Sequence, residues 1–584
     1  MYGWRGKILK IDLTDQNHSI TEPEEEIYHK FIGGRGLAGY YLRESITLDW
    51  NDPQISILFF TGPLNNTSSP TSGRMTIASR SPLTGTVGDS SVGGSLANSI
   101  KRAGFDGIII TGKSSNPCGI EINGQEVHFT DAGHLTGRTV SQINNSLKGK
   151  GSTAVTGPAA ENGVLYSGIV VDGHFFAGRN GLGLSMAVKN LKYLTVKGEE
   201  GKTEVYNPQE LKAAREEIFR LAATSPALMG ELGLSKFGTG ALYDLMHTRR
   251  MMPTDNFRKT YFPPAPSMNA YAFKQKYQPR KAGCKGCHIL CKRRTKEGQA
   301  IPEFETMSHF SALLENEDID TVKEANSICN EAGMDTISAG ATLACYAEIR
   351  GEKLSSDEII DILQDMTWGR DEGKELAEGA YRYARSRGKP ESAMTVKKQE
   401  MSAYDPRGAY GMALAYATST RGACHLRAYP ISHEILRKPV ATDRFTFSGK
   451  ARIIKINEDM NAVIDSLTAC KFLFFGATLE EFSRAYTAVT GVPSSAQDLL
   501  RVGERVYYNE RIMNYLNGFT AQDDDLPTRF FSQPGSSGNN IDIPPIDRKE
   551  FCEARARYYR IRGLDENGLP LEQKVRELEL EWKS

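Results

Sequence analysis

The segment at residues 73–95 reads GRMTIASRSPLTGTVGDSSVGGS, in which short runs of strand-forming residues are bounded by glycine- and serine-rich turns. Of the 56 glycines in the 584-residue chain, 29 lie within the first 200 residues. Because β-branched runs separated by such turns are typical of strands, this third of the chain is predicted to be rich in sheet. The runs are Lys7–Leu13, Ile55–Thr61, Arg74–Ser79, Gly107–Thr111 and Gly168–Val171.

One β-hairpin is predicted within this region. Residues 119–130 read GIEINGQEVHFT, with Asn123 and Gly124 between two strand-like runs. An Asn-Gly pair suits the two central positions of a type I′ turn, where φ is positive. We therefore expect two antiparallel strands joined at this pair.

Beyond about residue 205, apolar residues recur three and four positions apart, as they do on amphipathic helices. Ser355 and Ser356 precede acidic residues and are candidates to cap one of these helices. The stretch Asp523–Asp547 is rich in Asp, Pro, Ser and Gly and predicts a loop or surface excursion. The predicted helices are Leu211–Ala223, Thr321–Ala332, Ser356–Met366, Glu372–Arg387 and Arg501–Leu516.

The length of the chain predicts more than one hydrophobic core. Together the patterns predict an α+β protein, with a β-rich N-terminal domain of two sheets followed by two mainly α-helical domains. We place these domains at residues 1–205, 206–408 and 409–584.

The composition excludes several classes of protein. With 39% hydrophobic and 24% charged residues, the chain is not disordered, collagen-like or disulfide-dense. Its 71 basic and 71 acidic side chains cancel, so no global field attracts nucleic acid or an anionic membrane, and no nucleic-acid partner is expected. Any partner must be bound by a specific site.

The apolar stretches do not predict a membrane span. The longest candidate, Ala462–Leu479, is interrupted by Asp465 and Lys471. The N-terminus is charged and alternating, which indicates a first strand and no signal peptide. Nine cysteines are too few for a disulfide scaffold in so long a chain, so we expect a reducing, cytoplasmic location in which clustered cysteines bind metal.

Three cysteines are clustered at residues 282–294, which read AGCKGCHILCKRR. The C-x2-C-x3-C spacing of Cys284, Cys287 and Cys291 allows three thiolates to face one iron–sulfur cluster. Zinc is a second possibility, since His288 lies inside the loop, although zinc usually takes a second close pair of ligands. The third possibility is that the three cysteines are unrelated buried thiols.

A cubane cluster needs a fourth ligand, and spacing alone does not identify it. Cys329 and Cys345 lie within helical patterns, whereas Cys424 and Cys470 occur in segments that look like sites. The full set of candidates is Cys118, Cys329, Cys345, Cys424, Cys470 and Cys552.

Several motifs occur in an order that resembles one family, the tungsten-pterin aldehyde:ferredoxin oxidoreductases, over most of the chain. In addition to the segment at 73–95 and the cysteine triplet, the motifs are WRGKILKIDLT (4–14), FIGGRGLAGYYL (31–42), AGRNGLGLSMAVKNLK (177–192), PEFET (302–306), NEAGMDTISAG (330–340), YDPRGAYGMALAYATSTRGACHLR (404–427) and VIDSLTACKF (463–472).

The resemblance implies an enzyme that oxidises an aldehyde to a carboxylic acid at tungsten, or molybdenum, held by two pterin dithiolenes. It implies one [4Fe–4S] cluster with Cys470 as the fourth ligand, and a ferredoxin or ferredoxin-like subunit as electron acceptor. Two alternatives stay open. One is a catalytic subunit of a larger complex, of aromatic acyl-CoA reductase or flavin-linked type, and the other is a cluster-carrying electron-transfer subunit. A homodimer or a hetero-oligomer is compatible with each.

The resemblance also implies that Asp335 and Asp465 bind the two pterins, because a carboxylate can accept paired N–H groups. Thr468 belongs to the second of these motifs. The motif at Asp335 reads DTISAG where many members have Asp-x-x-Gly-Leu-Cys, so the contacts expected to be kept by its middle residues are those of the backbone. The alternative for either aspartate is a helix N-cap.

The glycine-rich turns are expected to hold the pterin phosphates. Arg74 and Arg179 would supply guanidinium groups, flanking amides would donate as in anion-binding nests, and Arg427 is a further phosphate candidate. In the family a Mg²⁺ ion bridges the two phosphates, and Ser91 and Asn180 match its positions. The turns also contain Gly93 and Gly181. The alternative is that these turns are only tight loops of a sheet.

Aldehyde oxidation adds oxygen from water, so a base must take a proton. By resemblance, Glu305 in PEFET and His425 in ACHLR occupy the active-site positions, and Tyr404 matches a tyrosine found in some members. Glu303 is the alternative acid, two residues from Glu305. His425 could instead be a structural histidine, and Tyr404 a packing residue.

Overall fold

The computed structural model describes residues 1–199, 201–284 and 286–582. It has the predicted α+β architecture, in which two six-stranded sheets are followed by a mainly helical region. The strands of the two sheets are β1 (Ile8–Asp12), β2 (Asn17–Thr21), β3 (Ile57–Phe60), β4 (Met75–Arg80), β5 (Val87–Val92), β6 (Gly107–Thr111), β7 (Cys118–Asn123), β8 (Glu126–Asp131), β9 (Ser152–Thr156), β10 (Ile169–Val171), β11 (Phe175–Ala177) and β12 (Leu191–Lys197). Two short hairpins follow, formed by β13 (Arg280–Ala282) with β14 (Lys292–Arg294) and by β15 (Thr395–Val396) with β16 (Gln399–Glu400).

The first sheet has the order β2-β1-β6-β3-β4-β5, and the second has the order β11-β10-β9-β12-β7-β8. Each contains one parallel pair, β1 with β6 and β12 with β7, among antiparallel neighbours. One hydrophobic cluster contains residues of both sheets, among them Ile77 and Ile108 of the first and Ile120 and Leu194 of the second. The two sheets therefore share a core.

The predicted hairpin is present, but its turn differs from the expected one. Asn123 pairs with Glu126, so the loop consists of Gly124 and Gln125. Of these two residues only Gly124 has a positive φ, +60°. A positive φ at the first central position alone is the pattern of a type II′ turn, and the type I′ prediction is wrong because Asn123 still belongs to the strand.

Most of the predicted helices are present, with longer bounds. Ser355, one of the two predicted candidate caps, forms a capping box with Glu358. The expected helix Glu372–Arg387 is wrong, because it is interrupted by Gly379 (φ +89°) into Gly373–Leu376 and Ala380–Ser386. The helices of eight or more residues are Gly34–Leu42, Pro208–Thr224, Ala270–Tyr277, Ile319–Ala332, Thr336–Arg350, Ser356–Trp368, Tyr410–Thr418, Lys450–Leu467, Leu479–Thr490, Ala496–Leu516 and Arg548–Arg562.

Shorter α-helices connect these elements. They are Glu25–Phe31, Leu96–Arg102, Val140–Ser146, Pro158–Glu161, Leu182–Ala187, Pro226–Met229, Leu234–Phe237, Leu242–Thr248, Ala265–Met268, Phe304–Phe310, Gly373–Leu376, Ala380–Ser386, Ile431–Glu434, Arg529–Ser532 and Glu572–Glu577. Across the described ranges, no helix is long and apolar enough to cross a membrane.

The segment Asp523–Asp547 is a loop, as predicted, apart from the short helix Arg529–Ser532. It is not only a surface excursion, because Asp524 is buried between Lys397 and Arg511. An acidic residue can be buried in this way when cations compensate its charge.

The hydrophobic cores cross the predicted domain boundaries. Trp4 and Leu37 of the N-terminal region belong to the same cluster as Ile464 and Leu467, and Tyr166 belongs to the same cluster as Phe304 and Tyr416. The helix Gly34–Leu42 and strand β4 pack against the helix Lys450–Leu467, so the β-rich region contacts the helical region directly. The division at residues 205 and 408 stays a prediction.

Candidate active site

The clustered cysteines lie in a loop closed by the β13–β14 hairpin. Because Ala282 pairs with Lys292, the hairpin brings Cys284 and Cys291 back to the same end. The amide of Cys287 donates to the carbonyl oxygen of Cys284 at 3.2 Å, which closes a turn within the loop.

Cys470 reaches this loop from the far end of the sequence. It follows the helix Lys450–Leu467, which ends at Thr468 in a left-handed conformation with φ +59°. The charge of Cys470 interacts with those of Cys284 and Cys287, and Arg74 interacts with Cys284, Cys291 and Cys470. Among the six candidates for a fourth ligand, Cys470 is the one that the structure brings to the triplet.

Polar groups point at these sulfur atoms. The backbone amides of Ile289 and Leu290 lower the pKa of the Cys287 thiol, and that of Phe472 lowers the pKa of Cys470. Burial raises the pKa of both thiols, that of Cys470 to about 11, while Arg74 and the amides oppose the rise. Amides and a cation beside sulfur stabilise thiolates, as at iron–sulfur sites.

The choice between an iron–sulfur cluster and zinc at these thiols stays a prediction. Considering residues 1–199, 201–284 and 286–582, no group of three or more His, Cys, Asp or Glu side chains converges as the ligands of one metal ion do. Zinc needs its four ligands about 2 Å from one centre, whereas a cubane takes each thiolate on a different iron. His288 packs edge-on against Phe219, with ring centroids 4.0 Å apart.

The end of β5 approaches the loop closely. A Cβ atom at Gly93 would lie 2.5 Å from the Cys284 sulfur, so only glycine fits there. Arg74 Nε donates to Ser91 Oγ at 2.9 Å, which holds the guanidinium at the thiols and Asp465. Arg74, Ser91 and Gly93 therefore lie together on the cluster side. Their predicted roles toward phosphate and Mg²⁺ stay predictions.

Glu305 lies in the first turn of the helix Phe304–Phe310 and faces His425. Its Oε2 accepts the Ala403 amide at 2.8 Å, and its Oε1 lies 3.5 Å from His425 Nε2 without a hydrogen-bond partner. Burial raises the pKa of Glu305 to about 8, against the opposing effects of the Ala403 amide and the Arg179 charge. A carboxyl that titrates near neutral pH is suited to proton transfer.

His425 is held in its neutral form. Burial lowers its pKa well below the usual range, and the charges of Arg179 and Arg421 lower it further. Its Nδ1 is buried and has no hydrogen-bond partner. One ring nitrogen thus faces Glu305, and the other is available to a ligand.

Two tyrosines complete this group. The Tyr404 ring lies 5.4 Å from that of His425, and its hydroxyl lies 3.2 Å from the Tyr429 hydroxyl. Burial raises the pKa of both tyrosines, so both hydroxyls stay protonated. Tyr429 has a φ of +48°, which is uncommon for a bulky residue and occurs at functional sites.

Glu303 faces a different group. It forms an ion pair with Lys292 of β14, and the Lys292 charge holds the pKa of Glu303 below its usual value. Burial raises the pKa of the Cys291 thiol, and the charge of Glu303 raises it further. The carboxyl beside His425 is therefore that of Glu305, whose catalytic role stays a prediction.

Asp335 caps a helix, as the alternative interpretation expects. Its Oδ2 accepts the Ser338 amide at 2.9 Å at the start of the helix Thr336–Arg350, and it lies 3.5 Å from Arg179 Nη1. The cap uses Oδ2, which leaves Oδ1 to accept a hydrogen bond from a ligand. Capping and pterin binding are compatible here.

For Asp465 the N-cap alternative is wrong. Asp465 lies near the C-terminus of the helix Lys450–Leu467, because the helical pattern begins well before it. Its Oδ2 lies 2.7 Å from Lys471 Nζ and 3.6 Å from Arg35 Nη1, whereas its Oδ1 is buried and has no partner. Thr468, one turn on, donates to Asn65 and accepts from the Arg74 amide.

The turn before the helix Leu182–Ala187 is held by internal hydrogen bonds. Arg179 Nη2 donates to the carbonyl oxygens of Glu400 (2.6 Å) and Ala423 (3.0 Å). Asn180 donates to the carbonyl of Asp89 at 2.9 Å, and Gly181 is the N-cap with φ +75°. This turn therefore connects β5 to the segment that carries His425.

The guanidinium group of Arg427 is already paired with carboxylates of the chain. It forms a bidentate pair with Asp89, with 3.0 Å between Nη1 and Oδ2, and its Nη2 also lies 3.5 Å from Glu510. Since internal carboxylates occupy its terminal nitrogens, the geometry gives no support to the predicted phosphate contact. Arg421 is more open, because its Nε has no partner.

Several buried polar atoms without hydrogen-bond partners belong to this region. Native interiors leave few such atoms, so a group of them indicates space for a polar ligand. They are Arg35 Nη1, Arg179 Nη1, Arg421 Nε, Glu305 Oε1, Glu400 Oε2, His425 Nδ1, Asp465 Oδ1 and Ser338 Oγ.

Two known sequence profiles match nearly the whole chain. Residues 8–198 match the aldehyde ferredoxin oxidoreductase N-terminal domain, and residues 213–580 match aldehyde ferredoxin oxidoreductase domains 2 and 3. The tungsten-containing aldehyde ferredoxin oxidoreductase of Pyrococcus furiosus is 35% identical, over 99% of each chain. The chain belongs to the aldehyde ferredoxin oxidoreductase family.

Further relatives match this aldehyde ferredoxin oxidoreductase family member over nearly its whole length. The tungsten-containing enzyme of Thermococcus kodakarensis is 35% identical over 99% of each chain. The aliphatic sulfonate oxidoreductase, WOR-like subunit, of Pyrococcus furiosus is 27% identical over 99% of this chain and 97% of that one. The fold matches the active site complex BamBC of benzoyl coenzyme A reductase with a TM-score of 0.85, at 20% identity and covering 99% and 97% of the two chains.

Some site residues of this family member are not found from the sequence. Arg35 lies against Asp465, Lys471 pairs with it, and Tyr429 contacts Tyr404. Arg421 donates to the Cys424 thiol at 2.9 Å, and although burial alone would raise the pKa of Cys424, the charges of Arg421 and Arg427 lower it. Arg35, Lys471 and Arg421 lie within quoted motifs, and Tyr429 lies just after one. Proximity to a motif was therefore the available signal.

Proposed function

We propose that the chain oxidises an aldehyde to a carboxylic acid at a tungsten–bispterin centre and releases the electrons through a [4Fe–4S] cluster. The observation that carries this proposal is the pair formed by Glu305 and neutral His425. Glu305 has one partnerless oxygen, 3.5 Å from the imidazole, and a pKa near neutrality. Such a pair is built for proton transfer.

The residues present fit the cofactor that family membership implies. Asp465 Oδ1 is a buried acceptor without a partner, and Asp335 keeps Oδ1 outside its helix cap, so each carboxylate can accept a pterin N–H. Arg74 lies next to Asp465 and to three of the thiols. When bound, the metal–pterin group would accept the two electrons of the oxidation, and the cluster would pass them on singly.

The chain's own residues handle the protons. Aldehyde and water yield a carboxylic acid, two protons and two electrons, so a base must take a proton from the water or the aldehyde hydrate. The Ala403 amide holds Oε2 of Glu305, which leaves Oε1 to accept that proton. The Tyr404 hydroxyl, protonated and held by Tyr429, can donate to the aldehyde oxygen.

The turns on the sheet side would hold the cofactor phosphates and a bridging Mg²⁺ ion. The Ser91 carbonyl accepts from Arg74, and the Asn180 carbonyl accepts from Ser81 at 2.9 Å. Each carbonyl has a second lone pair for a cation. Amides near Gly93 and Gly181 would donate to phosphate oxygens.

The four cysteines would bind the cluster, with Cys284, Cys287 and Cys291 from the loop and Cys470 from the helix end. An electron-transfer subunit without a substrate leaves the Glu305–His425 pair unexplained. A catalytic subunit of a larger complex is compatible with the similarity to a WOR-like subunit and with the BamBC fold. In that case the residues and the proton chemistry of the site are the same.

The experiment is an aldehyde screen of protein purified anaerobically after growth with tungstate, with benzyl viologen as acceptor. We expect dye reduction with at least one class of aldehyde and formation of the matching acid. Metal-loaded protein that oxidises no aldehyde would overturn the proposal.

A further inference from the structure

The segment that contains the cysteine loop is rich in basic residues. Residues 271–299 contain nine Lys and Arg residues and one acidic residue, Glu297, in a chain whose total charges balance. A concentration of one charge sign in a neutral protein indicates a charged partner rather than general solubility.

A pocket of about 410 Å³ is lined in part by this segment, and Cys291 forms part of its wall. Three exposed lysines line the same pocket, Lys236, Lys274 and Lys281, and we call them the basic patch. Lys281 donates to Ser235 Oγ at 3.2 Å, and Lys274 lies 5.0 Å from the Phe237 ring centroid. The patch thus lines the same pocket as one of the predicted cluster ligands.

The lysines of the basic patch form no ion pair within the described residues, and Glu303, the carboxylate that lines the same pocket, pairs with Lys292. None of the three lysines lies within 4.0 Å of a described carboxylate oxygen, whereas their neighbour Lys276 pairs with Asp320. Unpaired, exposed lysines attract an anionic surface by long-range steering.

One exposed apolar residue lies beside the patch. Leu232 is 80% exposed and lies in the loop between Met229 and Ser235, which both line the pocket. Its neighbour Glu231 is exposed and is the acidic residue of this loop. A single apolar contact within a charged rim is suited to a transient interface.

We propose that the basic patch docks an acidic one-electron carrier protein, which takes electrons from the cluster at Cys291. This proposal rests on the proposed function, because it supplies the exit for the electrons of aldehyde oxidation. Charge complementarity would favour the encounter, and the pocket at Cys291 would allow the carrier to approach the cluster. With the cluster bound, each encounter would transfer one electron from the cluster to the carrier.

The test is a charge reversal of the patch, Lys236→Glu with Lys274→Glu and Lys281→Glu. Its matched control reverses Lys113, Lys374 and Lys549, which are exposed, lie outside the pocket lining and form no ion pair among the described residues. Both variants are assayed with an acidic ferredoxin and, separately, with saturating benzyl viologen. Iron content and the melting temperature verify that each variant folds.

For the patch variant we expect kcat/KM for ferredoxin to fall about tenfold or more at low salt. The difference should shrink as salt rises, because salt screens exposed charges. The viologen rate of both variants should stay within about twofold of the original, and the control variant should reduce ferredoxin normally.

Unchanged ferredoxin kinetics in the patch variant, or an equal loss in the control variant, would overturn the docking proposal while leaving the proposed function intact. A salt-independent loss would also overturn it. Absence of aldehyde-dependent viologen reduction in the unmodified protein would instead overturn the proposed function, so the two failures are distinguishable.

Discussion

The cysteine loop and the Glu305 site differ in how far apart in the sequence their residues lie. Three of the four clustered thiols come from one hairpin loop, and only Cys470 is distant. Glu305, Ala403 and His425 come from three separate segments, and each contributes one group to the site. Most of the thiol site is formed by residues close together in the sequence, whereas the proton-transfer site is assembled from segments that are far apart in the sequence.

The two sites also differ in electrostatics. At the thiols, burial raises the pKa of Cys287 and Cys470, and the Arg74 cation and backbone amides oppose the rise. At Glu305, burial disfavours the charged form and raises the pKa to about 8. A site that binds anionic ligands needs compensating charge, whereas a proton-transfer group needs a pKa close to the working pH. The predictions below test this separation.

The largest effect is expected for Cys470→Ala. Removing a ligand should destabilise the cluster, so iron should fall well below about four per chain and ferredoxin reduction should be lost. Iron analysis and electron paramagnetic resonance of the reduced protein measure this. The control is Cys424→Ala, a buried thiol at Arg421, which should keep its iron. Full iron in Cys470→Ala would show that another cysteine is the fourth ligand.

Glu305→Gln should slow aldehyde oxidation about 10²- to 10⁴-fold while iron and tungsten stay bound, because the variant removes only the proton acceptor. The matched variant is Glu303→Gln, whose native carboxyl pairs with Lys292. It should lower the viologen-linked rate only a few-fold. If Glu303→Gln were the slower of the two, the assignment of the active-site acid would be reversed.

The pH dependence should report Glu305. Its ionised form is the base, so kcat/KM should rise with pH and reach half its plateau near pH 8, where the raised pKa lies. His425 should add no inflection between about pH 6 and 9, because its lowered pKa keeps it neutral throughout. A rate that falls across this range would contradict the proposed direction of proton transfer.

A smaller effect is expected for Tyr429→Phe. The change removes the hydroxyl 3.2 Å from that of Tyr404 and keeps the ring. The loss of one neutral hydrogen bond, about 0.5–1.5 kcal/mol, corresponds to a reduction of kcat of about two- to tenfold. Tyr404→Phe should cost more, since Tyr404 is the proposed donor to the substrate. Equal rates in both variants and the unmodified protein would exclude the pair from the reaction.

Local patterns were enough to predict much of the fold. The β-branched runs and glycine-rich turns correspond to β1, β3, β4, β6 and β10, and the Ser355 cap is present. The errors arose where a glycine or a strand end decided the local conformation. Periodicity runs through Gly379, but its positive φ ends the helix there.

The candidate site was predictable where residue type and spacing carry the chemistry. The cysteine triplet and the PEFET and ACHLR motifs are local, and the structure brings Glu305 and His425 together. Long-range partners could not be read from these patterns. Arg427 looked available, but its partner Asp89 lies on β5. Tyr429 belongs to the site because of its backbone conformation and its contact with Tyr404.

The most direct test of the account is the metal content of anaerobically purified protein, measured together with aldehyde oxidation in the same preparation. The account predicts about four irons and one tungsten or molybdenum per chain, with activity proportional to the heavy metal. Full iron without tungsten or molybdenum in active protein would contradict it, because the reaction would then not need the metal carried by the pterins that Asp335 and Asp465 are proposed to bind.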